Sequence, residues 1–221
     1  MTRGFGLGLL LWALAAPPAL AQAPLPRGRC PAIEGGSAAL ASRAPEDRAA
    51  FLLAETRSAR AQSETWSAVY ATGYLGLAAG QLALGVALDD EERLIDYQIG
   101  AATSMIGVAS MLILPPAILL QQPSVETLAP AAADGDCLAL ARAERVLIEG
   151  AASEAFGTSW LMHVGSALFN IATGLYMGLR HDHWVSGAIS VVIGIAVGEL
   201  QIWTRPTPLT GALRAYRAGE F

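Results

Sequence analysis

Four apolar stretches constrain this chain of 221 residues more than any other feature. As α-helices of about 20 residues they measure roughly 30 Å each, which matches the hydrocarbon core of a bilayer. They pair across short polar turns, at 66–88 with 95–114 and at 160–179 with 184–203. We therefore predict an all-α membrane protein with four transmembrane helices, arranged as two tandem helical hairpins.

A polar helical segment precedes each apolar pair. The first begins at Ala44-Pro45-Glu46-Asp47, where proline suits the first helical position and the carboxylates suit the positive end of the helix dipole. It reaches Trp66 without a helix breaker, so one long helix is expected to leave the membrane surface. The second polar segment opens at Cys137 and leads to Trp160. Both are predicted to lie outside the membrane.

Composition excludes several function classes. The formal charge of −5 argues against a nucleic-acid surface, which requires a basic stripe. All the basic residues are arginine, so a phosphate-binding loop with its lysine and Schiff-base catalysis are both excluded. No metalloprotease, serine-hydrolase or dinucleotide-binding motif occurs. We expect no enzymatic activity and no cofactor.

The amino terminus has the pattern of a secretory signal peptide over residues 1–21. Arg3 precedes an apolar core at 5–16, and small residues at Ala19 and Ala21 suit cleavage after Ala21. This pattern predicts a bacterial-type inner (plasma) membrane protein with both termini outside the cytosol. The arginine distribution opposes that orientation, because more arginines fall in the exported segments than in the turns.

An internal repeat is indicated by matches at an offset of 160 − 66 = 94 residues. Arg48, Glu55 and Trp66 fall on Arg142, Glu149 and Trp160. Chance similarity between Ala- and Gly-rich helices is the alternative. The predicted division is a first repeat at 22–120, a linker at 121–136, a second repeat at 137–204 and a tail at 205–221.

Two cysteines, Cys30 and Cys137, precede the polar helices of the two halves. In an oxidising compartment a disulfide joining the halves is favoured. A redox-active or metal-binding thiol pair is the alternative, although the chain has no C-x-x-C spacing.

The second hairpin carries three polar residues, His163, Asn170 and Glu199. His163 and Asn170 are two helical turns apart and share a face. In an antiparallel hairpin that turns near Asp182, residues whose numbers sum to about 363 lie level, which places His163 beside Glu199. A hydrogen bond between the spans is the plain interpretation, and a proton relay or ligand site is the alternative.

The turn residues His181 and His183 are weak candidates for metal binding, and a polar connection is the simpler interpretation, so no metal site is predicted. Small residues recur four apart on several spans, which favours close helix packing over a wide pore. The predicted packing residues are Gly76, Gly80, Gly174, Gly178, Ser190, Gly194 and Gly198.

The leading functional prediction is a non-enzymatic membrane scaffold or assembly partner. It would act through its exported helices and its packed spans, in contact with membrane lipid and with a second copy or another membrane protein. The alternative is a small transporter or ion conductor that uses His163, Asn170 and Glu199. A membrane enzyme acting on a lipid or an exported thiol is the third possibility.

Overall fold

A computed structural model of the chain describes residues 29–88 and 91–221. The predicted signal peptide lies outside these residues. The described part of the chain is helical, with no strand. Its helices are α1 (Ala38–Ser42), α2 (Pro45–Ala87), α3 (Glu91–Ile113), α4 (Ala117–Ala133), α5 (Cys137–Gly157), α6 (Trp160–His181), α7 (Trp184–Trp203) and α8 (Pro208–Ala218).

The longest of these helices, α2, runs for 43 residues without a break. Pro45 occupies its first turn together with Glu46 and Asp47, as the sequence predicted. At the helical rise it extends roughly 65 Å, about twice the thickness of a hydrocarbon core. Its first half therefore belongs to one structural region and its second half to another.

The first half of α2 forms a helical bundle with α4, α5 and α8. Leu52, Leu140, Leu147 and Leu209 are fully buried in the bundle core. Unlike α2, the second polar segment is a separate helix from the span that follows it, because α5 ends at Gly157 and α6 starts at Trp160. Packing of apolar faces holds this region together.

Most of the segment at 121–136 lies in α4, whereas the sequence was interpreted as a linker. Its buried residues follow helical spacing, and the last of them is Ala132. Pro123 and Pro130 suggested irregular chain, but both are exposed on the outer side of the helix. Water can reach the carbonyl groups that each proline leaves without a donor, so burial of the opposite face decides the conformation.

A buried polar cluster and a disulfide tie the bundle together. Arg48, fully buried, contacts Glu144 and donates to the hydroxyl of Tyr216 at 3.0 Å. It also donates to the carbonyl oxygens of Cys30 and Pro31, each at 3.0 Å. The sulfur atoms of Cys30 and Cys137 lie at the disulfide distance of 2.05 Å, in agreement with the predicted pairing.

Two antiparallel hairpins make up the apolar region. The second half of α2 packs on α3, and α6 packs on α7. The proline pair Pro115-Pro116 ends α3, as predicted. Among the described residues, nearly all exposed large apolar side chains lie at 66–114 and 160–203, the exceptions being Leu120, Leu138 and Phe156. This surface is consistent with membrane association.

Three helical stretches, not the predicted four, are long and apolar enough to cross a membrane. They are Pro45–Ala87, Arg93–Ala133 and Trp184–Ala218. The prediction was wrong for α6, which has the length of a span but a lower mean hydropathy. The polar residues of α6, among them His163 near its start and Asn170 near its middle, lower its mean hydropathy.

Candidate functional site

A cavity of about 460 Å³ lies between the two hairpins. Its wall is formed by α2, α3, α6 and α7, together with Gly157 and Arg205 at one end. This volume falls in the range of small-molecule sites, roughly 300–1,000 Å³. Sequence reasoning did not predict it, because periodicity assigns residues to helix faces but does not say how far apart two hairpins stand.

Polar contacts join the hairpins at both ends of the cavity. Near the bundle, the Tyr70 hydroxyl lies 2.6 Å from Thr204 Oγ1, and the Tyr74 hydroxyl donates to Gln201 Oε1 at 2.7 Å. At the opposite end His183 Nδ1 lies 2.6 Å from Asp96 Oδ1. The hairpins are thus connected above and below the cavity.

His163 and Glu199 come together as the antiparallel register predicted. His163 Nδ1 lies 2.7 Å from Glu199 Oε2, which also accepts a hydrogen bond from Trp203 Nε1 at 3.2 Å. Each side chain is about one third exposed, at 31% and 32%. Neither residue lines the cavity. Their contact ties α6 to α7 on the outer side of the hairpin.

Asn170 occupies a different position from that pair, because its side chain lines the cavity. Its Nδ2 donates to the backbone carbonyl oxygen of Ser166 at 2.8 Å. The amide lies against Gly194, where an added Cβ would overlap Oδ1. The three predicted site residues therefore share the α6–α7 interface, but they do not form one cluster around a ligand.

The predicted packing glycines separate into two groups. In the second hairpin Gly174 approaches the backbone of Gly187, Gly178 lies under the Trp184 ring, and Gly198 lies against Ser166. The close approach of Gly194 to Asn170 belongs to the same interface. These positions have no room for a side chain.

In the first hairpin Gly76 and Gly80 have nothing within 4 Å of an added Cβ. They do not pack against another part of the described chain. Gly100 and Gly107 pack there instead, against Gln81 and Tyr74. Ser190, also predicted to pack, lines the cavity.

Arg205 forms the end of the cavity nearest the bundle, and sequence reasoning missed it. Its guanidinium lies against Gly157, with Cζ 5.5 Å from the centroid of the Trp66 ring. It donates no hydrogen bond to any described residue, and Trp66 Nε1 is buried without a partner among them. An arginine directly after an apolar span resembles an ordinary interfacial anchor in sequence, so only the fold reveals that it faces a cavity.

Glu154 is the acidic residue whose negative charge acts on Arg205. Its carboxylate accepts hydrogen bonds from the backbone N–H groups of Leu209 and Thr210 and from the Thr210 hydroxyl. Burial raises the pKa of Glu154 above 4.5, although these three donors act in the opposite direction. The carboxylate is thus directed to the start of α8 and does not line the large cavity.

His181 and His183 do not converge on an ion position with a third ligand. Among the residues that the structure describes, no three His, Cys, Asp or Glu side chains are grouped to hold a metal. No protein-family model, curated protein or solved structure matches this chain. Its function has to be inferred from its own residues.

Proposed function

We propose that this protein is a non-enzymatic scaffold of a bacterial-type inner membrane, which assembles with a second copy or another membrane protein. One observation carries the proposal. The unbroken helix α2 connects the disulfide-tied bundle to an apolar segment whose outer face meets nothing else in the described chain. A partner that packs on this face would be held at a defined distance from the bundle.

The outer face of α2 has the composition of a helix-packing surface. Val69, Gly73, Gly76, Gly80 and Leu84 lie on one side of the helix at helical spacing. The three glycines have open space above them, and Val69 and Leu84 are exposed. In lipid, small residues four apart let two helix backbones approach closely. This glycine face points away from α3, because Ala78 and Gly85 are the buried residues of this segment.

In this proposal α6 lies beside α7 in the apolar region, although α6 is not one of the three stretches that are apolar enough to cross a membrane. Since α6 lies antiparallel along α7, it must occupy the same depth as that more apolar helix. The contact with Glu199 gives His163 a polar partner, and Asn170 Nδ2 donates to a backbone carbonyl oxygen, so two polar side chains of α6 have hydrogen-bond partners. Packing against α7 offsets the lower hydropathy of α6.

The bundle is placed on the exported side. The disulfide between Cys30 and Cys137 supports this orientation, because such bonds persist in oxidising compartments. The predicted signal peptide supports it as well. Trp160 and Trp203, both strongly exposed at the bundle end of the hairpins, suit the membrane interface on that side.

Transport through His163, Asn170 and Glu199 is less well supported. A conduction path needs polar groups in sequence along one passage. Here Asn170 lines the cavity, whereas His163 and Glu199 lie outside its wall. The geometry therefore favours assembly as the function.

Photocrosslinking in native membranes tests the scaffold. A photoreactive residue replaces Val69 beside the glycine face, and in a matched control it replaces Val192, which is similarly exposed on α7. Amine-reactive crosslinkers are unsuitable, because the chain contains no lysine. We expect a discrete protein adduct from position 69, and an adduct with a second copy is recognised by twice the mass of the uncrosslinked chain on the same gel.

Gly76→Leu should abolish that adduct, because leucine fills the space that a partner helix would use. Gly165→Leu, which places the same side chain elsewhere in open space, should preserve it. His163→Ala should preserve it as well. If Gly76→Leu leaves the adduct unchanged, or if positions 69 and 192 label only lipid, the scaffold proposal is refuted.

A further inference from the structure

The cavity between the hairpins is elongated along the helices. On α7 its wall reaches from Ser190 to Ile202, and 202 − 190 = 12 residues correspond to roughly 18 Å at the helical rise. The cavity volume of about 460 Å³ extends along this length between the two hairpins. Such a shape suits one extended alkyl chain better than a compact polar molecule.

The middle of the cavity wall suits an apolar occupant. Leu77, Ile106, Phe169, Ile193 and Val197 contribute apolar surface. Several polar residues that line it use their donors within their own helices. Thr103, Ser110 and Thr173 each donate to a backbone carbonyl oxygen of the preceding turn, at 2.9, 2.7 and 3.0 Å.

The end of the cavity beside the bundle suits an anion. The Arg205 guanidinium has five N–H donors, and none of them donates a hydrogen bond to a described residue. Trp66 adds a buried indole N–H that has no hydrogen-bond partner among the described residues. The neighbouring carboxylate of Glu154 is occupied by the amides of Leu209 and Thr210 and does not reach the wall.

We propose that the cavity binds an acidic lipid, with one acyl chain between the hairpins and its anionic headgroup on Arg205 and Trp66. A carboxylate or phosphate oxygen at this position would accept charge-assisted hydrogen bonds from the guanidinium. The membrane interface supplies such lipids at the depth where Trp66 and Arg205 lie. The lipid site is separate from the glycine face of α2 and does not depend on assembly.

Quenching of tryptophan fluorescence by brominated stearic acid tests this proposal on the full chain in phosphatidylcholine vesicles. One variant retains Trp66 as its sole tryptophan, and a matched variant retains Trp203, which lies near the same end but is 78% exposed. We expect the acid to quench Trp66 saturably. We expect Trp203 to be quenched only gradually, by acid that has partitioned into the membrane. Equal, non-saturable quenching of both would overturn the proposal.

Gly165→Leu tests whether the chain enters the cavity. Gly165 lines the wall, and an added Cβ meets nothing within 4 Å, so the side chain of a leucine at this position starts in open space and extends into the cavity. Saturable quenching of Trp66 should disappear in this variant. It should persist in Gly76→Leu, the matched control on the outer face of α2. Persistence in Gly165→Leu would overturn the assignment of the chain to the cavity.

Arg205→Gln tests the headgroup. Loss of a charge-assisted bond should raise the half-quenching concentration of the brominated acid about tenfold or more, and should not affect its uncharged methyl ester. Arg214→Gln, at an exposed arginine of α8, is the matched control. Equal weakening of acid and ester would overturn the headgroup assignment. Protection of Trp66 by inorganic phosphate alone, insensitive to Gly165→Leu, would show a free-anion site and overturn the lipid.

Discussion

Tyr216→Phe removes one oxygen atom from a buried polar cluster of the bundle. The tyrosine hydroxyl accepts a hydrogen bond from Arg48 Nε at 3.0 Å and donates one to Glu144 Oε1 at 2.6 Å. All three residues are buried. The ring contacts with Phe51 and Phe221 do not involve the hydroxyl. The substitution therefore removes hydrogen bonds and leaves apolar packing in place.

The expected loss is about 3 kcal/mol. A hydrogen bond to a charged group contributes about 1.5–3 kcal/mol, and two such bonds disappear. The lower end of their sum applies, because Arg48 still contacts Glu144 and still donates to the Cys30 and Pro31 carbonyl oxygens. No buried charge is left without a partner. The local opening equilibrium of α8 should rise about a hundredfold.

Hydrogen exchange of the α8 amides in the full chain measures this change. Amides of α6 and α7, which lie outside the bundle, provide an internal reference. Tyr176→Phe is the matched control, since this half-exposed tyrosine donates no hydroxyl hydrogen bond to a described residue. If exchange in α8 accelerates less than about threefold, or no more than in Tyr176→Phe, the buried cluster does not hold α8 as the geometry indicates.

Three further predictions concern other contacts. Burial raises the pKa of Glu154, so the folded chain binds the proton of this carboxyl more tightly than the unfolded chain does. The stabilisation from this proton is complete below pH 4.5 and is lost as the pH rises through the pKa of the folded state. Glu154→Gln should therefore reduce the dependence of the free energy of unfolding on pH. Gly194→Ala should cost about 1–3 kcal/mol through overlap with the Asn170 amide, and adding Asn170→Ala should recover most of it in a double-mutant cycle; additive costs would contradict the contact. Cys137→Ser opens a crosslink between residues 107 apart, for which the chain-entropy model gives a loss of about 4–5 kcal/mol in denaturant unfolding of the bundle, and a loss under about 1 kcal/mol would contradict that model.

Local signals in the sequence were sufficient for the ends of several helices and for one interface between helices. Pro45 with two carboxylates predicted the start of α2, and Pro115-Pro116 predicted the end of α3. The antiparallel register of a short-turned hairpin placed His163 beside Glu199. These features depend on backbone geometry within a few turns of the chain, which residue type and spacing specify directly. The internal repeat and the signal peptide remain predictions.

Side-chain packing between distant segments decided the conformation of α4, the surroundings of the glycines and the position of the cavity. Pro123 and Pro130 are compatible with an irregular linker when the sequence is considered alone. The segment is helical because the opposite face of α4 is buried against the bundle core. Gly80 and Gly174 fall on each other at the offset of 94 residues, yet only Gly174 meets a neighbouring helix. Arg205 faces a cavity because the two hairpins are joined at their ends and stand apart between them. Composition and periodicity determine which residues form helices and prefer lipid, whereas the free energy of long-range packing determines which helix faces remain open for a partner or a ligand.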